Sequence, residues 1–412
     1  MKKQRRIDSY DVPPPVTEAQ AHGVYPLLNH DERARLNFVA ACNRVVTSTL
    51  TPGNELAYER QVRPKFIAEH QREPESRHEV RRAMNANPFH QLWSATRRNL
   101  MEIRQQTGAA IVLRQIDDLA TRAYNFSQEH SGRELDVTLP LPSYVAEVDH
   151  HCMPGSYHRE LTSGDVSPAA NYDIGFYVTT GGTAGPLNDA AGRAIANWVN
   201  EVRRASRPDF QPKRILDIGV AAGHSVVPIA QSFPEAEVTA LDVSAPMLRY
   251  AHARAHSLGV ENVRFMQMSG EDLSRFPNDH FDWVQTSFFL HELSARALPA
   301  VLRECRRVLK PGGLPLHLEQ PQYDNGMPVF EQFMRDWDAY NNSEPFWTAM
   351  HAIDLDAALQ ATGFAQGDLF RARLTATAEP NVDEQMGQDF GREPVWHAYG
   401  AWSADEEMAH DA

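Results

Sequence analysis

The stretch RILDIGVAAGHS, residues 214–225, sets Gly219, Ala221 and Gly223 at every second position directly after an apolar run that contains Asp217. Glycine in such a turn lets the backbone pass close to a ligand, and the exposed amides at the start of the helix that follows favour a negatively charged group. Twenty-three residues after Gly219, a second apolar run ends in Asp242, in ALDVS. A carboxylate at that point can accept hydrogen bonds from both hydroxyls of a ribose, a geometry shared by nicotinamide and adenosyl ligands. A dinucleotide fold asks for GxGxxG, and this chain offers GxAxG. Gly219 and Gly223 alone could also serve a tight strand–helix turn, and Asp217 could cap local amides rather than touch a ligand.

Two further residues have the chemistry to handle a proton. His291, in FLHEL, closes a fourth apolar run, and Glu319, in LHLEQPQYD, closes a fifth. HEL is not a zinc motif, because HExxH would need histidine where Ala295 stands. MPVFEQFMRDWDAYNNSEPFW mixes aromatics with asparagines, so Tyr340, Asn341 and Trp347 are candidates for an acceptor pocket; an amphipathic helix is the competing reading of Phe330, Phe333 and Trp337. Tyr172 and the TTGG turn after it are expected to form a lid. His150, His151, Cys152 and His158 invite a metal reading, but adjacent histidines point to opposite sides of an extended chain and no spaced pair completes a set, so no metal is expected.

Elements of definite type must hold these residues. RILDIGV, EVTALDV, VRFMQM, FDWVQTSFF and LPLHLEQ alternate with helical stretches such as APMLRYAHARAHSLG and ARALPAVLRECRRVLKPGG. Such alternation predicts an α/β fold with a doubly wound parallel sheet, whose ligands sit beyond the carboxyl ends of the strands. Ser244 caps the helix that Gly259 stops, and Cys305 shares a helical stripe with Leu298, Val301, Leu302 and Leu309. Upstream, Leu36, Val39, Ala40, Val46 and Leu50 recur at helical spacing, as do Leu92, Thr96, Leu100 and Ile103, which predicts a bundle with these residues buried. Residues near 127–144 read as a linker or sheet edge, because VTLPLPSY is too proline-rich for a central strand.

With SGEDL (residues 269–273) after the third strand and LKPGG before the fifth, five motifs stand in fixed order over about residues 210–375. In this order the chain resembles the class I S-adenosylmethionine-dependent methyltransferases, particularly the small-molecule group that includes the ubiquinone and menaquinone biosynthesis enzymes. The resemblance implies a Rossmann-like sheet of seven strands, the last inserted antiparallel, with DLFRARLTATA and EPVWHAYGAWSA as the final two. It also implies that Asp217, Gly219, Ala221 and Gly223 cradle the methionine part of S-adenosylmethionine and that Asp242 holds the ribose. Met247, Gly270, Glu271 and Asp272 would lie around the adenine, and Val243 and Ser287 join the cofactor set. The family usually has glycine at the place of Ala221 and often an acidic residue at that of Ser269. The implied activity is methyl transfer to oxygen, nitrogen or carbon of a small organic acceptor.

Composition bounds the rest. Over 412 residues the formal charge is −14, a field that repels a phosphate backbone, so nucleic acid is not expected as a partner. The three cysteines are too few and too scattered for a disulfide framework. No apolar run approaches the roughly 18 residues of a membrane span, and the basic start lacks the apolar stretch of a secretory signal, so a cytoplasmic location and no membrane partner are expected. The expected division is a helical region 1–130, a linker and lid 131–206, and a cofactor-binding domain 207–412, with a homodimer through the helical region as one arrangement. Two other classes stay open: an adenosyl-binding protein without catalysis, and an NAD-dependent oxidoreductase.

Overall fold

A computed structural model describes residues 22–402 except 129, 183, 324–325 and 376–394. Eight strands form one sheet: β1 (Arg133–Glu134), β2 (Arg214–Ile218), β3 (Glu237–Asp242), β4 (Val263–Gln267), β5 (Phe281–Ser287), β6 (Leu309–Glu319), β7 (Leu369–Thr375) and β8 (Val395–Ala401). Their spatial order is β1-β4-β3-β2-β5-β6-β8-β7. All pairings are parallel except those of β8, which runs antiparallel between β6 and β7. The expected seven-stranded order with an inserted antiparallel strand is therefore present. The proline-rich segment before it adds β1, two residues paired to Phe265 and Met266 on the rim of β4.

The central strands are buried on both faces, as their unbroken apolar runs require. On one face Ile215, Val238, Trp283 and Leu316 pack under Ile195 and Val199 of the helix Ala190–Ala205. On the other, Leu216, Leu241 and Val284 meet Leu298, Val301, Leu302 and Cys305 of the helix Ala297–Val308. Each such side chain removed from water contributes about 1.5–3 kcal/mol before entropy is counted. LKPGG lies inside β6 rather than before it: Leu309 pairs with Phe281, and a register shift between Phe281 and Trp283 absorbs the extra residues.

The N-terminal half is helical, with one correction to its buried face. Residues 30–70 run as one nearly continuous helix interrupted by π turns at Val46–Leu50 and Tyr58–Val62, each shortly before a proline, Pro52 and Pro64, that cannot donate to the ladder. In the helix Pro88–Leu113, Leu92 and Ile103 are exposed; the buried face is Trp93, Arg97, Met101 and Arg104, one position round from the aliphatic stripe. Arginine reads as solvent-facing in a sequence, but Arg97 is buried because Asp338 pairs with it at 2.7 Å. These helices share a core with the sheet's own layer: Val24, Leu36, Ile111 and Leu119 pack with Ile174 and Tyr177 and with Met247 and Tyr250. No helix among the described residues is long and apolar enough to cross a membrane.

Candidate active site

Sheet order reverses at β2, and the carboxyl ends of β2, β3 and β5 open into one cleft. Gly219, Ala221, Asp242, Val243, Gly270 and Ser287 line it, as does Tyr172. Seven of the residues singled out from sequence therefore converge on one wall system. Asp242 is fixed from behind: the Ser244 amide donates to Oδ1 at 2.8 Å and the Ala221 amide to Oδ2 at 2.9 Å. Burial pushes its carboxyl up to about 6, against these amides. Ala221 takes φ +43, a left-handed conformation in which glycine would be unstrained.

Gly219 has φ +77, and a Cβ there would stand 2.3 Å from Cδ2 of Phe289, which forms part of the cleft wall. Gly219→Ala is expected to lower stability by about 1–3 kcal/mol in urea titration through overpacking and backbone strain. Gly367→Ala, where nothing lies within 4 Å of the added atom, should change it by less than about 0.5 kcal/mol. Equal losses at both positions would refute the close-approach role of Gly219.

Other expected residues fall elsewhere. Met247 is fully buried in the core beneath the N-terminal helices, not on the cleft wall. Asp272 is exposed and its Oδ1 accepts the Ser274 amide. Glu271 stands just behind the lining, accepting a hydrogen bond from Tyr144 at 2.7 Å. Asp217 and Gly223 sit under the turn; burial raises the Asp217 carboxyl to about 7, partly offset by Gln285. Tyr340 is 75% exposed on the far side, with Arg81 over its ring. The Asn341 side chain donates back to the Trp337 carbonyl. The expected acceptor segment is instead the helix Val329–Asn341, whose Phe333 and Trp337 pack with Tyr58, Trp93 and Met101 of the N-terminal helices.

His291 and Glu319 do come together, with Nδ1–H donating to Oε1 at 2.6 Å, and the ring stacks on Trp347. Neither is in the cleft lining; the next residue, Glu292, is. Around Glu292 the structure assembles a group the sequence does not announce. His150 Nδ1 lies 2.6 Å from Glu292 Oε2 and 3.4 Å from Glu344 Oε2, and His151 Nδ1 lies 2.7 Å from Glu344 Oε1. The chain at His150–Cys152 is a tight turn with His151 at φ +55, not an extended segment, so the two adjacent imidazoles reach one carboxylate. The expectation that they diverge is corrected by that turn. Burial lowers the His150 imidazole, but Glu292 and Glu344 outweigh it and raise it to about 11; His291, opposed by burial in the same way, is raised to about 9 by Glu319 and its neighbours. Glu344, which burial alone would raise, is held far below the usual carboxylate range by His151 and His150. The tract YNNSE carried the missed signal, a single acidic residue beside two asparagines.

The residues expected to form a lid lie in a helix packed into the molecule. Tyr172 belongs to the buried helix Ser167–Thr180, which ends at TTGG, and its ring stacks on His224. Asp173, next in that helix, accepts from His22, His224, Tyr250 and Asn188 at 2.7–2.9 Å.

Residues 215–313 match a family model described as a methyltransferase domain. The chain is similar to the uncharacterised methyltransferase YcgJ of Bacillus subtilis, 36% identical over 29% of this chain and 45% of that protein. It is likewise similar to the ubiquinone/menaquinone biosynthesis C-methyltransferase UbiE of Pectobacterium atrosepticum, 32% identical over 31% of this chain and 49% of that protein. The matched stretch thus spans about half the length of these relatives. A solved structure of YcgJ from Bacillus subtilis aligns with a TM-score of 0.34 and 21% identity, over 47% of this chain and 93% of that one.

Proposed function

We propose, from the match of residues 215–313 to a methyltransferase domain, that this domain is of the class I S-adenosylmethionine-dependent type and that the protein transfers a methyl group to a small organic acceptor. The observation that carries this reading is the Asp242 carboxylate at the tip of β3, both oxygens steadied by backbone amides and facing a cleft floored by Gly219 and Gly270. When bound, S-adenosylmethionine supplies a methyl group activated on a sulfonium. The chain's own residues would do the rest. Asp242 would hold the ribose hydroxyls, Ser287 and the β2 turn the amino-acid part, and the Tyr144–Glu271 pair the adenine side.

Phe288, Phe289, Val145 and Met268 give the cleft apolar walls, and alignment of the reacting groups would supply up to about 7–11 kcal/mol of such a barrier. Glu292 is the ionisable group that meets the acceptor. His291 is a positioning residue in this reading, because its Nε2 stands 3.8 Å from Glu292 Oε1 while Glu319 fixes the ring. Calorimetric titration with S-adenosylmethionine, S-adenosylhomocysteine and NADH tests the proposal: the first two should bind and NADH should not. Binding of NADH alone would replace methyl transfer with hydride chemistry.

A further inference from the structure

We propose that His150, Glu292 and Glu344 form a binding site for a divalent first-row transition-metal cation in the wall of the cofactor cleft. One donor atom from each lies within 4.8 Å of the other two. Three separate stretches supply them: the tight turn at His150–Cys152, the single helical turn Leu290–Glu292 that follows β5, and the loop after the helix Val329–Asn341.

The hydrogen bonding leaves one atom of each residue facing the common centre. His150 Nε2 donates to the Tyr144 carbonyl at 2.9 Å, so Nδ1 is the nitrogen turned inward. The Tyr157 hydroxyl donates to Glu292 Oε1 at 2.9 Å, leaving Oε2. The His151 amide donates to Glu344 Oε1 at 3.2 Å, and Oε2 meets His150 Nδ1 across the centre at 3.4 Å. Partners of this kind on the outer atoms fix the orientation of metal ligands in known sites.

A second observation points to an occupant. Glu292 Oε2 is buried, and its near neighbour is His150 Nδ1 at 2.6 Å, a close approach poorly aligned for a hydrogen bond. Two buried carboxylates converging on one nitrogen outnumber it in charge, and a cation at the centre would balance them. Among the described residues, the ion pairs of both carboxylates are all with histidines. Two carboxylates and neutral imidazole balance a charge of +2 without a buried proton.

One nitrogen and two oxygens suit manganese, iron, cobalt or zinc, and not magnesium or calcium, which prefer all-oxygen sets. Three protein donors leave coordination positions open, and His150 and Glu292 present them to the cleft. Resting on the methyl-transfer reading, this further assigns the acceptor to molecules that bind through oxygen, as a phenolate or enolate does. The ion would hold that oxygen beside the cofactor and favour its deprotonated form.

The test is titration of chelator-treated full-length protein with Co2+, followed by visible absorption, with calorimetry for S-adenosylmethionine on the same metal-free sample. Cobalt bands that saturate at one equivalent and are bleached by Zn2+ are expected. Glu344→Gln and Glu292→Gln should each weaken the bands' affinity by more than ~100-fold, with S-adenosylmethionine affinity and circular dichroism showing each variant folded. Catechol should shift the cobalt bands; unshifted bands would overturn the assignment of the acceptor. Absence of saturable Co2+ and Zn2+ binding in the wild-type chain would overturn the site and mark the group as protonated histidines paired with carboxylates. Because cofactor binding is read separately, metal failure with intact S-adenosylmethionine binding leaves the proposed function standing, and the reverse result refutes that function alone.

Discussion

Asp242→Ala is expected to weaken S-adenosylmethionine binding by at least about a hundredfold. The two ribose hydroxyls would each lose a hydrogen bond to a charged acceptor, and such bonds contribute about 1.5–3 kcal/mol apiece. The substitution also strands the Ala221 and Ser244 amides, which now donate to that carboxylate. Asp242→Asn separates the two effects, since its oxygen can still accept one amide. The wild type carries a matching pH signature. With burial holding the carboxyl up at about 6, Asp242 is ionised at pH 7.5 and gains a proton as the pH falls through 6. A ligand that needs the ionised form therefore binds more weakly below pH 6 and releases a proton on binding near that value. Titration calorimetry in buffers of different ionisation enthalpy reads both quantities. Affinity unchanged by Asp242→Ala would show that the ribose is held elsewhere.

Asp173→Ala should cost about 3–5 kcal/mol of stability, the penalty for leaving a buried charge without its partner. Asp173 accepts from His22, His224 and Tyr250 alike, and Arg254 stands 3.6 Å from it. A carboxylate only accepts, so both imidazoles must present Nε2–H to it; burial lowers each histidine's affinity for a proton, consistent with neutral rings. His22 leads into the N-terminal helices, His224 follows the glycine turn, and Tyr250 and Arg254 lie on the helix Ala245–Ser257. One side chain thus ties the N-terminal helices to the cofactor turn. Urea denaturation measures the loss, and a change below about 1 kcal/mol would reduce the network to ordinary neutral hydrogen bonds.

The strands and the cleft floor were legible because their signals are local. Period, capping and the spacing from Gly219 to Asp242 sit within thirty residues of sequence, and β2 to β5 appear where those patterns place them. The cleft's other wall was not legible, since Tyr144, His150 and Tyr157 come from a loop-rich stretch without periodicity and Glu344 from the far side of an inserted helix. The aliphatic stripe at Leu92 and Ile103 misled for a related reason. Which face of a helix is buried depends on partners distant in sequence, and here Asp338 and Trp337 draw Arg97 and Trp93 inward. Met247 fits both a core and a ligand wall by type, and only the N-terminal helices packed over it decide the matter.

The short strand β1 bears on how this chain can be shortened. It covers β4 at Phe265 and Met266, and the Phe265 amide donates to the Gly132 carbonyl. A fragment excised from Pro208 onward would lose that cover together with Tyr144, His150, Tyr157 and Tyr172. Its crevice would become an open trough, and the bared rim of β4 would be free to zip onto the same rim of a second fragment.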